Sequence, residues 1–357
     1  MSEVKPARLS AGFIYALAAA VLFGASTPLA KLLLSDVSPV LLASLLYLGS
    51  GLGLSSWLGF RSLVRKNDDR EAALTRGDVP WLAGAVFFGG VVGPVLLMVG
   101  LAITPAADAS LMLNLEGVST ALLAWFVFKE NFDRRIFVGM ACITGGGVLL
   151  SWGGAPSAGL PWGSLAIAGA CLAWGIDNNL TRKVSASNPI QIAAIKGMAA
   201  GGVNLGLAVA LGSEFPAPGT VFACFAVGLF GFGVSLTCFV LALRHLGTAR
   251  TGAYFSLAPF VGAALSLAIF GEGFSISFVM AAALMGVGVW CHLTERHEHV
   301  HTHEPLSHEH SHTHDEHHRH EHGPDDPTGE PHSHVHRHGS IRHSHAHFPD
   351  IHHRHEH

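Results

Sequence analysis

The chain has 357 residues, half of them hydrophobic and only 13% charged, with a mean hydropathy of +0.41. A water-soluble globular protein of this size would need far more charge on its surface, and that class is excluded. The charge is also split. Residues 1–293 carry 16 Lys/Arg against 13 Asp/Glu, whereas residues 294–357 carry 5 against 12, together with 23 of the 25 histidines. An apolar body and a polar tail share one chain.

Lys5 and Arg8 precede the first apolar run, 12–34. It is too long for a signal peptide and no clear small-residue cleavage site follows, so it reads as an uncleaved span. Further runs fall near 38–60, 80–103, 105–128 and 134–153. After a break, GGAPSAGLP, come 161–181, 189–211, 219–243, 249–270 and 275–293. A helix needs roughly 20 residues to cross hydrocarbon, at ~1.5 Å per residue. None of the runs alternates with the period of a barrel strand. The expected fold is an all-α polytopic membrane protein with ten transmembrane helices.

The connections support that count. Alternate loops hold Arg61, Arg65, Lys66, Arg70 and Arg76, then Lys129, Arg134 and Arg135, then Arg182 and Lys183, then Arg244 and Arg250. The other loops lack Lys and Arg and carry Asp36, Glu214 and Glu272. Basic loops stay in the cytoplasm. The expectation is a multi-pass protein of a bacterial inner membrane with both termini cytoplasmic.

The chain also repeats itself. Shifted by 142 residues, Leu115 falls on Leu257, Ala121 on Ala263, Leu123 on Leu265, Phe128 on Phe270, Glu130 on Glu272 and Gly146 on Gly288. FGASTPLAK at Phe23–Lys31 aligns with WGIDNNLTR at Trp174–Arg182, and Ser38-Pro39 with Asn188-Pro189. Five spans per half is odd, so the second half lies upside down, as in many secondary transporters. The expected organisation is a cytoplasmic N-terminus (1–11), two inverted five-helix repeats (12–153 and 161–293) and a disordered His-rich cytoplasmic tail (294–357).

The stretch ASLMLNLEG at Ala109–Gly117, the acidic turns at Glu130 and Gly271-Glu272, and the glycine-rich helices that follow carry a resemblance. They resemble the EamA-type permeases of the drug/metabolite transporter superfamily, one domain per half. The family's Glu-Pro is split here between Glu116-Gly117 and Ala258-Pro259, and its Gly-Glu is Lys129-Glu130 in the first half. The resemblance implies a ten-helix transporter fold and metabolite transport, often export.

Within the spans, Glu116 is the leading candidate for substrate contact or proton coupling, because an intramembrane carboxylate is costly and usually faces a cavity or a partner. An interhelical hydrogen bond is the alternative. Asn114 could line the same space or glue helices together. Asp177 and Asn178, with Asn179 and the preceding Trp174, form a polar run that suits either a polar solute or a helix end. Lys31 and its repeat mate Arg182 either snorkel or meet an anionic solute. Lys196 lies deep enough to partner Glu116 or Asp177. Glu130 and Glu272 fit structural turns. The five cysteines, Cys142, Cys171, Cys224, Cys238 and Cys291, read as small packing residues rather than a disulfide framework.

The tail cannot bury a core. Its alternating histidines include His297, His299, His301, His303, His308, His310, His312, His314, His317, His318, His320, His322, His332, His334, His336 and His338. Imidazoles with nearby carboxylates suit Ni, Zn, Co or Cu. A pH-responsive solvated tail is the other reading.

The expected function is an ATP-independent secondary transporter of a small polar metabolite, an exporter, with a metal-binding regulatory tail. No phosphate-cradling loop occurs, and no cofactor is required. One alternative is transport of a divalent metal or a metal–chelator complex. Another is a membrane-anchored metal store or sensor. The expected partners are a small-molecule solute, the lipid bilayer and a divalent metal at the tail, and an oligomer is compatible with the pattern. The acidic tail offers nothing to nucleic acid, and no nucleophile–base set points to an enzyme.

Overall fold

The computed structural model describes residues 11–64, 74–128, 134–152, 161–184, 188–271, 273, 275–293 and four short tail segments. The body is all-helical. The first half comprises α1 (Ala11–Leu33), α2 (Pro39–Val64), α3 (Val79–Ala85), α4 (Gly93–Ile103), α5 (Ala106–Met112), α6 (Leu115–Phe128) and α7 (Arg134–Trp152). The second comprises α8 (Trp162–Val184), α9 (Pro189–Ala210), α10 (Pro218–Gly228), α11 (Ser235–Phe255), α12 (Ala258–Phe270) and α13 (Ile276–Leu293). Five helical segments among the described residues are long and apolar enough to cross a membrane: Ala11–Leu33, Pro39–Leu63, Arg76–Ile103, Pro189–Ala210 and Pro218–Ala242. The segments Phe137–Ser151, Ala258–Phe270 and Ile276–Cys291 are apolar but shorter.

Local sequence explains several boundaries. Proline at the first helical position starts α2 and α9, where its missing N–H would be unpaired anyway. Asn188 caps α9, its Oδ1 accepting from the amides of Ile190 at 3.0 Å and Gln191 at 3.2 Å. Thr104-Pro105 separates α4 from α5, because proline disfavours helix in the residue before it. The sequence reading placed a similar connection near 244–248. There the helical backbone of α11 continues instead, and the stretch RHLGTAR holds no proline to stop it.

Four apolar runs read as single helices are interrupted. The run 80–103 contains a π-helical segment at Val86–Val92 between α3 and α4, and a second π segment, Leu229–Val234, joins α10 to α11. The run 105–128 breaks at Leu113-Asn114, and the chain breaks again at Ser256-Leu257 between α11 and α12.

Helices from the two halves interleave. α2 packs along α9, α7 along α13, α1 against α11 and α12, and α8 against α4 and α6. Glycine makes the α2–α9 approach possible. A Cβ on Gly197 would lie 2.6 Å from the amide nitrogen of Gly51, and one on Gly51 would lie 2.5 Å from that of Met198. Such small-residue contacts replace hydrophobic driving force in lipid. Leu41, Leu42 and Leu46 of α2, Met98 and Leu101 of α4, Leu111 and Met112 of α5, Ile167 of α8 and Met285 of α13 are fully buried in one core.

In the tail, β1 (Glu298–Thr302) pairs antiparallel with β4 (Arg342–Ala346), and β2 (Leu306–His312) with β3 (His332–His338). The register sets His299 opposite His345, His301 opposite His343, His308 opposite His336, His310 opposite His334 and His312 opposite His332. His297, His303, His314, His317, His318, His320 and His322 lie outside the described residues.

Candidate functional site

The break between α5 and α6 creates the site. Leu113 and Asn114 leave the helix with tight bonds: Leu113 N–H to Ser110 O at 3.2 Å, Asn114 N–H to Leu111 O at 3.1 Å and Glu116 N–H to Leu113 O at 3.1 Å. The Asn114 side chain holds the turn, donating from Nδ2 to Leu111 O at 2.9 Å, with Met285 Sδ 3.9 Å away. The sequence suggested that Glu116 lies about eleven residues inside a continuous helix. It lies instead in the first turn of α6, where the positive end of the helix dipole favours a carboxylate.

α8 comes close to this turn because Gly175 has no side chain. A Cβ there would sit 2.9 Å from Ser119 Cβ and 3.0 Å from the Thr120 amide nitrogen. One turn on, Asn178 Nδ2 donates to Glu116 Oε1 at 2.9 Å and to Thr120 Oγ1 at 3.2 Å. The Thr120 hydroxyl donates to the Glu116 carbonyl at 2.9 Å. Asn179 faces the same crossing, with Nδ2 donating to Gly175 O at 2.8 Å and Thr120 O at 3.3 Å. Glu116 is half-buried and Asn178 is exposed. A carboxylate turned toward hydrocarbon would be costly, and the Asn178 amide meets it on one oxygen.

The second charged group is a closed pair. Lys196 Nζ of α9 donates to both carboxylate oxygens of Asp177 at 2.7 Å, and Thr181 Oγ1 donates to Asp177 Oδ1 at 2.8 Å. Lysine and aspartate are nearly buried, at 12% and 10% side-chain exposure, as a paired charge in a low-dielectric site must be. Glu116 lies within electrostatic reach of both.

The first π segment connects these groups. A π turn frees carbonyls that the surrounding structure must satisfy. The Gly89 carbonyl accepts from Tyr47 OH at 2.7 Å and from Trp174 Nε1 at 2.9 Å, and the Gly90 carbonyl from Asn204 Nδ2 at 2.9 Å. Gly89 has no room for a Cβ, which would overlap the Asp177 carboxylate. Asn204 is fully buried and its Oδ1 has no hydrogen-bond partner among the described residues. Around this point, rings from both halves meet. Phe23 of α1 stands 6.5 Å from Trp174, 5.9 Å from Phe232 and 5.4 Å from Phe255, and Tyr47 stands 5.6 Å from Phe232.

Of the residues named from sequence, Glu116, Asn178, Asp177, Lys196 and Trp174 are brought together, with Asn114 at the break itself. Lys31 is placed elsewhere: its ammonium caps the end of α4, donating to the carbonyls of Leu101, Ala102 and Thr104. Thr120, Tyr47, Gly89 and Asn204 were missed. Thr120 stands four residues after Glu116, the spacing that puts two side chains on one helix face, and could have been found. No group of three or more His, Cys, Asp or Glu among the described residues is arranged to hold a metal ion.

The comparisons agree with this architecture. Residues 10–152 and 161–294 each match the EamA-like transporter family. An "uncharacterized transporter" of Methanothermobacter thermautotrophicus (strain Delta H) is 30% identical over 292 residues, which cover 78% of this chain and 85% of the relative. A solved crystal structure matches with a TM-score of 0.56 at 20% identity, over 78% of this chain and 95% of that one, a likeness of fold alone. With its apolar helices, the chain is a multi-pass membrane protein, and it belongs to the EamA-like transporter family.

Proposed function

We propose that the protein is a secondary transporter of a small polar metabolite, an exporter, that works by alternating access between two inverted five-helix repeats in a ten-span body. The observation that carries this reading is the pairing of interruptions. The π segments Val86–Val92 and Leu229–Val234, and the helix breaks at Leu113-Asn114 and Ser256-Leu257, are related by shifts within one residue of the 142-residue sequence repeat. Discontinuous helices at matching places in two halves mark the binding region of many such transporters. Each π segment also packs on the opposite half: Gly89 and Gly90 on α8 and α9, Gly231 on Ser26 of α1, and Gly233 on Ser50 of α2.

Glu116 is the coupling group in this reading. It carries a proton or contacts solute when the site opens to one side, with Asn178 holding its carboxylate and Thr120 in turn accepting from Asn178. Asp177–Lys196 is the structural ion pair beside it. The termini lie in the cytoplasm of a bacterial inner membrane, and the His-rich tail binds Ni, Zn, Co or Cu as a regulatory or buffering element. The test is proton flux in proteoliposomes loaded with a pH dye, comparing wild type with Glu116→Gln over a panel of solute gradients. Solute-dependent flux in wild type that falls at least ~tenfold in the variant supports the reading. Unchanged flux in the variant removes Glu116 from coupling.

A further inference from the structure

We infer that the tail holds divalent late transition metals between its paired strands, with histidines that stand opposite each other on the two ladders as the ligands, and that the metal draws the strands together. This rests on the metal-binding tail proposed above, is independent of the transport reading, and names the residues that form the sites.

The first ground is register. β2–β3 sets histidine against histidine three times in succession: His308 with His336, His310 with His334 and His312 with His332. β1–β4 does so twice, His299 with His345 and His301 with His343. Positions two residues apart along a strand share a face. Within each ladder, every one of these pairs therefore lies on one face. The carboxylates are sorted away from them. Glu309 falls at an alternate position of β2 and Glu298 at one of β1, on the reverse faces with Arg337 and Arg342. A one-residue slip would abolish all of the histidine pairs at once. Metal binding by composition alone requires no such sorting.

The second ground is reach. Residues directly opposite on antiparallel strands have Cβ atoms ~5 Å apart, which lets two imidazoles meet one ion. Imidazole is a preferred ligand of Zn, Ni, Co and Cu. Each pair offers two ligands, fewer than the four of a closed structural zinc site, so the ion stays exchangeable.

The third ground is what holds the ladders. Apolar residues are few on them: Leu306 and Val335 on one, Val300 and Ala346 on the other. A two-stranded ribbon is marginal in water. An ion that takes a ligand from each strand favours the paired state by its own binding free energy.

The test uses the purified full-length protein in detergent, with Zn2+ as the probe. One variant rearranges β3 without changing its composition: His332→Ser, Ser333→His, His334→Val, Val335→His, His336→Arg and Arg337→His. It removes every histidine pair of β2–β3 and keeps every histidine of the tail. Calorimetry should show it losing more than half of the zinc that wild type binds tightly, with affinity at those positions down at least ~tenfold. A second measurement places nitroxides on Ser311→Cys and Ser333→Cys, a pair on the reverse face, in protein with its five native cysteines replaced. Zn2+ should broaden the spin-label spectrum, a chelator should reverse it, and His308→Ala, His310→Ala and His312→Ala together should abolish the response. A rearranged chain that binds as much zinc as tightly as wild type overturns the inference, as does a spectrum indifferent to zinc. If neither chain binds zinc, the metal-binding tail falls with it and the transporter reading stands.

Discussion

The two helix breaks show what duplication kept and what it changed. Between α5 and α6 the chain turns at Leu113-Asn114 and places Glu116 in the next helical turn. Between α11 and α12 it turns at Ser256-Leu257 and continues with Ala258-Pro259. The backbone device is the same. One break presents a carboxylate, and the other presents a proline that only shapes the chain. The π segments differ in the same way. In the first, Tyr47, Trp174 and Asn204 reach in from other helices to bind the freed carbonyls. In the second, the Gly233 carbonyl is served by Thr237 of the adjoining helix at 3.0 Å. Polar and charged side chains are concentrated at the first-half break and on the helices α8 and α9.

Five single substitutions sharpen or break that contrast. The largest effect should come from Lys196→Met, which strands the Asp177 carboxylate in a buried site and should cost about 3–5 kcal/mol of stability. Thermal unfolding in detergent reads it, and the double variant Asp177→Asn/Lys196→Met should recover most of the loss. A normally stable single variant would mean that water already reaches Asp177.

Next in size is Gly89→Ala, whose methyl would collide with Asp177. A loss of about 1–3 kcal/mol is expected from overpacking. Gly233→Ala, where the nearest atom is Ser50 Oγ at 3.1 Å, should lose less. Equal losses would erase the distinction between the two π segments.

Trp174→Phe keeps a ring but removes the donor to Gly89. It should cost about 1 kcal/mol, visible as a modest fall in melting temperature. The smallest effect belongs to Gly117→Ala. Gly117 is exposed and nothing lies within 4 Å of a Cβ there. Removing a glycine from a helix should raise stability by about 0.5–1 kcal/mol.

Much of the body was legible in the sequence because membrane helices advertise themselves by apolar length, and the family by ASLMLNLEG and its matching turns. Glu116, Asp177, Asn178 and Lys196 stood out because charge and amides are rare in such runs. The breaks were hidden. Leu113-Asn114 contains no proline or glycine, and a π turn within VFFGGVV preserves the apolar run that a hydropathy reading follows. Lys31 and Lys196 look alike in sequence, each one cation in an apolar helix. Only tertiary packing sends one to the end of α4 and the other to Asp177. Tyr47 and Asn204 were overlooked because their partners are backbone carbonyls, which every residue has and no sequence marks.

The central claim is that one site beside Glu116 is reached from both faces of the membrane in turn. The direct measurement places a single cysteine at Asn178, in a protein with its five native cysteines replaced, and labels it with a membrane-impermeant maleimide added to one side or the other. Labelling from either side, slowed from both by the transported solute, is the predicted result. Labelling from one side only, whatever the solute or pH, would contradict alternating access at this site.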